Sequence, residues 1–136
     1  MDETTALACF AALAQPTRLG AFRLLVAAEP GGLPAGEIAR RLDVPQNTMS
    51  SHLSQLSQCG LVRGERHSRS IVYRADMTRL QGLVVFLLED CCGGRPEVCA
   101  PILARIEPCC PPRARQAPAL RKPKAAAGDR RSARPK

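Results

Sequence analysis

The chain predicts a mainly α-helical protein with one small β-hairpin. Three observations carry that expectation. Apolar residues recur at helical spacing in successive segments up to residue 90. Two short β-branched runs, Leu61-Val62-Arg63 and Ser70-Ile71-Val72-Tyr73-Arg74, flank the polar hexapeptide Gly64–Arg69 and read as paired strands. Aromatic residues are scarce, with no Trp, one Tyr and three Phe, so a core must be built from Leu, Val, Ile and Ala. The length of 136 residues allows one domain with an appendage and one modest core.

The elements follow in order. Residues 4–14 are rich in helix formers, and Leu7, Phe10, Ala11 and Ala14 form a stripe expected to face inward. Gln15-Pro16-Thr17 breaks this helix, because the residue before proline avoids the α region. A second helix over about 17–28 carries Leu19, Phe22, Leu25 and Val26, and Pro30-Gly31-Gly32 ends it. A short helix over about 35–42 turns Ile38, Ala39 and Leu42 inward. After the turn Asp43-Val44-Pro45 comes a helix over about 46–58 whose only apolar seam is Met49, Leu53 and Leu56. Gly60 stops it in the left-handed region. The hairpin follows. A last helix over about 76–90 places Leu80, Leu83, Val84, Leu87 and Leu88 on one stripe. Residues 100–108 hold one or two further helical turns.

Charge is unevenly distributed. Nine of the 20 Lys and Arg residues, but only Asp129 among the 12 acids, lie in residues 111–136. The formal net charge of +8 is therefore that of the tail, and residues 1–110 are neutral. This Pro-, Ala-, Arg- and Lys-rich stretch cannot bury enough apolar area to offset its ordering entropy and is expected to be disordered. The organisation predicted is residues 1–99 as the folded domain, 100–110 as an extension with a second cysteine pair, and 111–136 as a basic tail. No internal repeat is present. No apolar run reaches the roughly 20 residues that span a bilayer, and Met1-Asp2-Glu3 lacks the positive start of a signal peptide. The expected compartment is a reducing cytoplasm without membrane association. There, seven cysteines point to ligands or buried thiols more than to a disulfide framework.

Short helix, turn, polar helix and hairpin together make a winged helix-turn-helix. The polar helix carries the argument. A helix with so thin an apolar seam is a poor core element. Covered with Gln46, Asn47, Thr48, Ser50, Ser51, His52 and Gln55, it offers donors and acceptors to base edges in a major groove. Arg66 and Arg69 on the hairpin suit phosphate or minor-groove contact. His52 belongs more to phosphate contact or packing than to metal ligation, and Arg18 reads as a surface charge. Leu53, Leu56, Leu61 and Val62 are assigned to the core.

A second feature lies past the last helix, in Cys91-Cys92-Gly93-Gly94-Arg95-Pro96-Glu97-Val98-Cys99. Thiolates are soft ligands. Three of them around a Gly-Gly turn suit a soft trivalent ion, As(III) or Sb(III), whose lone pair fills the fourth direction. Tetrahedral zinc normally takes a closed set of four ligands, and the two histidines, His52 and His67, both lie far upstream. The reading is Cys91, Cys92 and Cys99 as metalloid ligands, with no organic cofactor. Cys9 and Cys59 look isolated and are assigned to packing. The pair Cys109-Cys110, between Pro108 and Pro111, is left open as a second site, a transfer site, an accessory ligand or an incidental feature of the tail.

The chain resembles the ArsR/SmtB family of bacterial metal-responsive repressors. The resemblance rests on Ala14-Gln15-Pro16-Thr17-Arg18-Leu19, Gly36-Glu37-Ile38-Ala39-Arg40-Arg41-Leu42, Ser51-His52-Leu53-Ser54-Gln55-Leu56, Gly60-Leu61-Val62 and Arg69-Ser70-Ile71-Val72-Tyr73, and spans about residues 4–90. It implies a homodimer joined through the first and last helices, bound to a palindromic operator and released by its inducer. Family members place inducer sites variously. The Cys-x-Cys location in the first motif helix reads Gly36-Glu37-Ile38 here, and the zinc-type Asp/His cluster of the last helix has only Asp76. The stretch from Cys91 to Cys99 resembles the C-terminal cysteine triad of one arsenite-sensing branch. Two other functions compete. One is a thiol redox-responsive repressor of the same fold, in which Cys91 or Cys92 pairs with Cys99 or Cys109. The other is a small thiol enzyme such as an arsenate reductase, or a metalloid carrier. For such an enzyme Gly93-Gly94-Arg95 is only a faint echo of an oxyanion cradle.

Overall fold

The computed structural model describes residues 1–89 and 95–106. It falls into two units, Met1–Cys99 and the segment from Ala100 onward. Six helices and three strands run in the order α1 (Glu3–Leu13), α2 (Pro16–Ala27), β1 (Leu33–Pro34), α3 (Ala35–Leu42), α4 (Gln46–Gln58), β2 (Val62–His67), β3 (Ser70–Ala75), α5 (Met77–Glu89) and α6 (Pro96–Ile106). The strands make one antiparallel sheet in the order β1-β3-β2. This is the mainly α winged helix-turn-helix expected.

Local chemistry sets the element ends. The Asp2 carboxylate caps α1, accepting from the Thr5 amide at 2.8 Å and the Thr5 hydroxyl at 2.7 Å. These bonds, the hydroxyl's first, hold its pKa below the usual carboxylate value. Pro16 opens α2 at a position where no amide proton is needed. The Gln15 side chain accepts from the Arg18 amide at 2.7 Å. Asp76 caps α5, accepting from the Arg79 amide at 2.8 Å. Gly60 sits at φ +81° just past α4, and a Cβ there would lie 2.8 Å from Arg79 Nε. Gly60→Ala is therefore expected to destabilise the fold by about 1–2 kcal/mol, since an L side chain in the left-handed region costs about that much. Urea unfolding of the two proteins side by side measures it.

The core is aliphatic. Leu25, Ile38, Met49, Leu53, Leu56, Leu61 and Val62 are fully buried, and Phe22 is the one aromatic among the buried residues. Leu53, Leu56, Leu61 and Val62 take the core positions expected. The face of α1 does not. Its buried residues are Ala6, Cys9 and Ala12, while Leu7 is 60% exposed and Ala11 and Ala14 are exposed. An alanine-lined face lets α1 lie close against its neighbours, and the bulkier Leu7 is left outside. Leu19 of α2 is likewise exposed, whereas Phe22 and Leu25 are buried. On α5 only Leu83 is buried, and Val84, Val85 and Leu87 stay exposed.

The hairpin also differs from expectation. The six residues read as a loop are mostly strand. Pairing runs from Val62 with Ala75 to His67 with Ser70, leaving a two-residue turn, Ser68-Arg69. Ser68 takes φ +55°, the positive value that a tight hairpin turn requires. Polar residues on a thin wing show no inward–outward alternation, so backbone pairing extended the strands where side-chain pattern gave no sign. Strand β1, two residues long, pairs Leu33 with Tyr73 and Pro34 with Val72 and had no signature. Helix α6 starts at Pro96, earlier than the turns expected over 100–108, with Pro101 inside it.

Candidate nucleic-acid interface and thiol sites

The surface expected to meet DNA is built by α4 and the wing. Met49, Leu53 and Leu56 anchor α4 to the core. Asn47, Ser51, Ser54 and Gln58 follow at i, i+4, i+7 and i+11 and share one exposed face. Ser54 and Gln58 were passed over in the sequence; the same spacing that identified the seam would have found them. Gln46 and Ser50 lie on the flank toward the wing. They line a cleft with Pro34, Ala35, Gly36, Arg69, Ser70, Ile71 and Tyr73, so Arg69 is brought to the edge of α4. The Ser50 hydroxyl donates to the Gln46 carbonyl at 3.0 Å, and Asn47 Oδ1 accepts from the Thr48 amide at 2.9 Å. Thr48 is exposed. Gln55 is exposed on the opposite flank, where it lines a cleft beside α1. His52 is half-buried, and its Nδ1 is enclosed with no hydrogen-bond partner among the described residues.

Ion pairing decides which cations are available. Glu37 holds Arg40 and Arg41, each at 2.7 Å. Arg40 first and then Arg41 push the Glu37 carboxyl down to about 2. Arg63 pairs with Asp76 at 3.3 Å, and Arg74 with Glu29 at 2.8 Å and Glu65 at 3.5 Å. His67 lies 3.7 Å from Glu65. Arg66 and Arg69 are exposed and make no ion pair among the described residues. They are the wing arginines left available to an anion. Arg18 is more than a surface charge: its guanidinium donates to the carbonyls of Ala12 and Ala11 and closes the end of α1.

The cysteines divide into two groups. Cys91 and Cys92, and the pair Cys109-Cys110, lie outside the described residues, as does the basic tail. Cys99 is half-buried on α6 and disulfide-bonded. Cys9 and Cys59 are free and buried. They are not isolated from each other: the Cys9 thiol donates to the Cys59 carbonyl at 3.4 Å. Among the described residues no three His, Cys, Asp or Glu side chains gather into a metal site. Asp76 is committed to capping α5 and to Arg63.

Comparisons with known proteins agree with this geometry. A family profile described as a helix-turn-helix domain matches residues 13–65. An ArsR-like transcriptional regulator from Rhodococcus sp. RHA1 superposes with a TM-score of 0.58 at 27% identity, covering 76% of this chain and 93% of its own. A possible transcriptional regulator for arsenical resistance superposes with a TM-score of 0.52 at 26% identity, over 58% of this chain and 79% of its own. The homodimeric winged helix-turn-helix DNA-binding domain of Mb0332 from Mycobacterium bovis shares the fold, with a TM-score of 0.53 at 23% identity over 62% and 77% of the two chains. No curated protein matches. Fold and profile together define a winged helix-turn-helix protein, with the helix-turn-helix domain over residues 13–65. Within that class its fold is similar to that of the ArsR-like regulator from Rhodococcus. No helix of the described residues is long and apolar enough to cross a membrane.

Proposed function

We propose that this chain is a cytoplasmic ArsR-family repressor that binds a palindromic operator as a homodimer and releases it when Cys91, Cys92 and Cys99 take up arsenite or antimonite. The observation that carries the DNA-binding half is the exposed polar face of α4 with Arg69 at its edge, on a wing whose Arg66 and Arg69 make no ion pair among the described residues. The dimer is supported by the apolar residues left exposed on the first and last helices of the domain. Leu7, Val84, Val85 and Leu87 are each more than 40% exposed, and covering them with a second copy removes that surface from water. Mb0332, a homodimer, has the same fold.

The sensing half rests on the donor set and its place in the chain. Cys91 and Cys92 follow the end of α5 by two and three residues, and Cys99 sits on α6. When bound, As(III) or Sb(III) supplies three bonds to soft thiolates. Those bonds tie the C-terminal end of α5 to α6, and α5 is half of the proposed dimer interface. Recognition helices must sit about 34 Å apart to enter successive major grooves, so a small change of dimer angle misplaces both. Only a difference in affinity between the two dimer shapes can drive release. A tenfold loss of operator affinity requires about 1.4 kcal/mol. A mobility-shift titration of the promoter with and without arsenite tests the proposal: release by arsenite and antimonite but not by zinc supports it, and a complex indifferent to both metalloids refutes it.

One observation favours a second reading. Cys99 is disulfide-bonded, and an oxidised Cys99 cannot serve as a thiolate ligand until reduced. A redox-responsive repressor would release the operator with peroxide alone and recover it with a thiol reductant.

The basic tail is proposed to add affinity without specificity. Each phosphate contact adds a log–log salt slope of about −0.9. Deleting residues 111–136 should make the salt dependence of DNA binding shallower and leave operator choice intact. An unchanged slope would show that the tail stays off DNA.

A further inference from the structure

Cys9 and Cys59 are 50 residues apart and meet beside the recognition helix. Cys9 is fully buried on α1, and Cys59 is the C-cap of α4. The Cys9 thiol donates to the Cys59 carbonyl at 3.4 Å, and the Cys59 thiol to the Leu56 carbonyl at 3.2 Å. Both are free thiols. Burial first, and then the neighbouring Cys59 thiol, push the Cys9 thiol up to about 11. Cys59 is the member with access from outside, and Cys9 is fully buried beside it. Cys59 lines an open cleft with Ala8, Ala11, Ala12, Gln55 and Gln58, whose walls are methyl groups and two uncharged carboxamides.

We propose that Cys9 and Cys59 form a dithiol site that captures a trivalent arsenical bearing one organic substituent, R–As(OH)2. The site supplies two soft donors and no third: among the described residues no cluster of three ligating side chains exists. Zinc would want four ligands. Inorganic arsenite would keep a third As–OH, which the alanine side of the cleft cannot partner and only Gln55 and Gln58 could meet. A monosubstituted arsenical fills its third valence with carbon, and the alanine-lined cleft receives that group. Two S–As bonds form and two As–O bonds break. Each hydroxyl leaves as water with a thiol proton, and arsenic stays trivalent, so no oxidant is needed. The product is uncharged, as a buried apolar site requires. A thiol with a raised pKa is poorly placed for thiolate-dependent oxidation, but capture of the neutral arsenical with loss of water takes up thiol and proton together. The bridge would fasten α1 to the end of α4. It is independent of the Cys91–Cys99 site.

The test uses the full chain with Cys91, Cys92, Cys99, Cys109 and Cys110 changed to Ser, and phenylarsine oxide as the probe. Intact-mass spectrometry should show one phenylarsenic adduct, with both remaining thiols lost to titration and restored by a small dithiol. Cys9→Ala or Cys59→Ala should weaken capture by at least about tenfold, the effect of losing one of two soft ligands. If the folded five-serine protein keeps two titratable thiols at saturating probe, or if either single alanine variant binds as tightly, the site does not exist. Should the five-serine chain not fold, the wild-type chain is treated with probe and digested. A phenylarsenic bridge joining the Cys9 and Cys59 peptides upholds the proposal, and bridges confined to the other five cysteines overturn it.

Discussion

Replacing Cys91 or Cys92 by serine is expected to leave a repressor that still dimerises and binds its operator but fails to release it at arsenite concentrations that free the wild-type protein. Serine keeps a similar volume and removes the soft ligand. The recognition surface is untouched, because α4 and the wing lie on other elements. Cys99→Ser should be milder, since two thiolates still hold As(III). Cys9→Ala and Cys59→Ala should respond to inorganic arsenite as the wild type does, so failure of the buried dithiol site and failure of the C-terminal site give different patterns. The readout is the arsenite concentration that dissociates half of the operator complex. If the Cys91 and Cys92 variants release DNA as readily as the wild type, the C-terminal triad is not the sensor and attention passes to Cys109 and Cys110. If the wild type needs peroxide, the disulfide at Cys99 is the switch.

What could be read from sequence depended on how strongly each segment is patterned. Helix α4 was bounded at Gln46–Gln58 because Pro45 and Gly60 punctuate it and its seam is narrow. Helix α3 was equally plain. The inward face of α1 was misread because apolar residues surround that helix, and hydrophobicity alone cannot tell a core face from one left for a partner. Alanine and cysteine went inward there, and leucine outward. The pairing of Cys9 with Cys59 was invisible for a different reason: a contact between residues 50 positions apart depends on the packing of α1 against α4, not on any local spacing. Nor could the sequence separate available from engaged arginines. Arg40 and Arg41 look as accessible as Arg66 until Glu37 is seen holding both. The exposed polar face of α4 was largely legible, because surface polarity on a helix with only one thin apolar seam is a local property.

The recognition helix makes the other strong prediction. Asn47 and Ser51 lie one turn apart on the exposed face of α4, opposite the Met49, Leu53 and Leu56 seam. Neither contributes to the core, so Asn47→Ala combined with Ser51→Ala should fold with unchanged helicity. Base-edge contacts carry sequence information, whereas phosphate contacts position the protein. Since a good base contact is worth about 1–3 kcal/mol of discrimination, the double variant should lose at least about tenfold in preference for operator over random DNA. Its affinity for random DNA should stay near that of the wild type, because Arg66 and Arg69 remain. Arg66→Ala with Arg69→Ala should do the converse, weakening binding to both DNAs and making the salt slope shallower. Gln55→Ala should be milder than either, because Gln55 lies on the flank beside α1. Competition binding with operator and scrambled duplexes measures all three, and full discrimination by a folded Asn47/Ser51 double variant would remove α4 as the reading element.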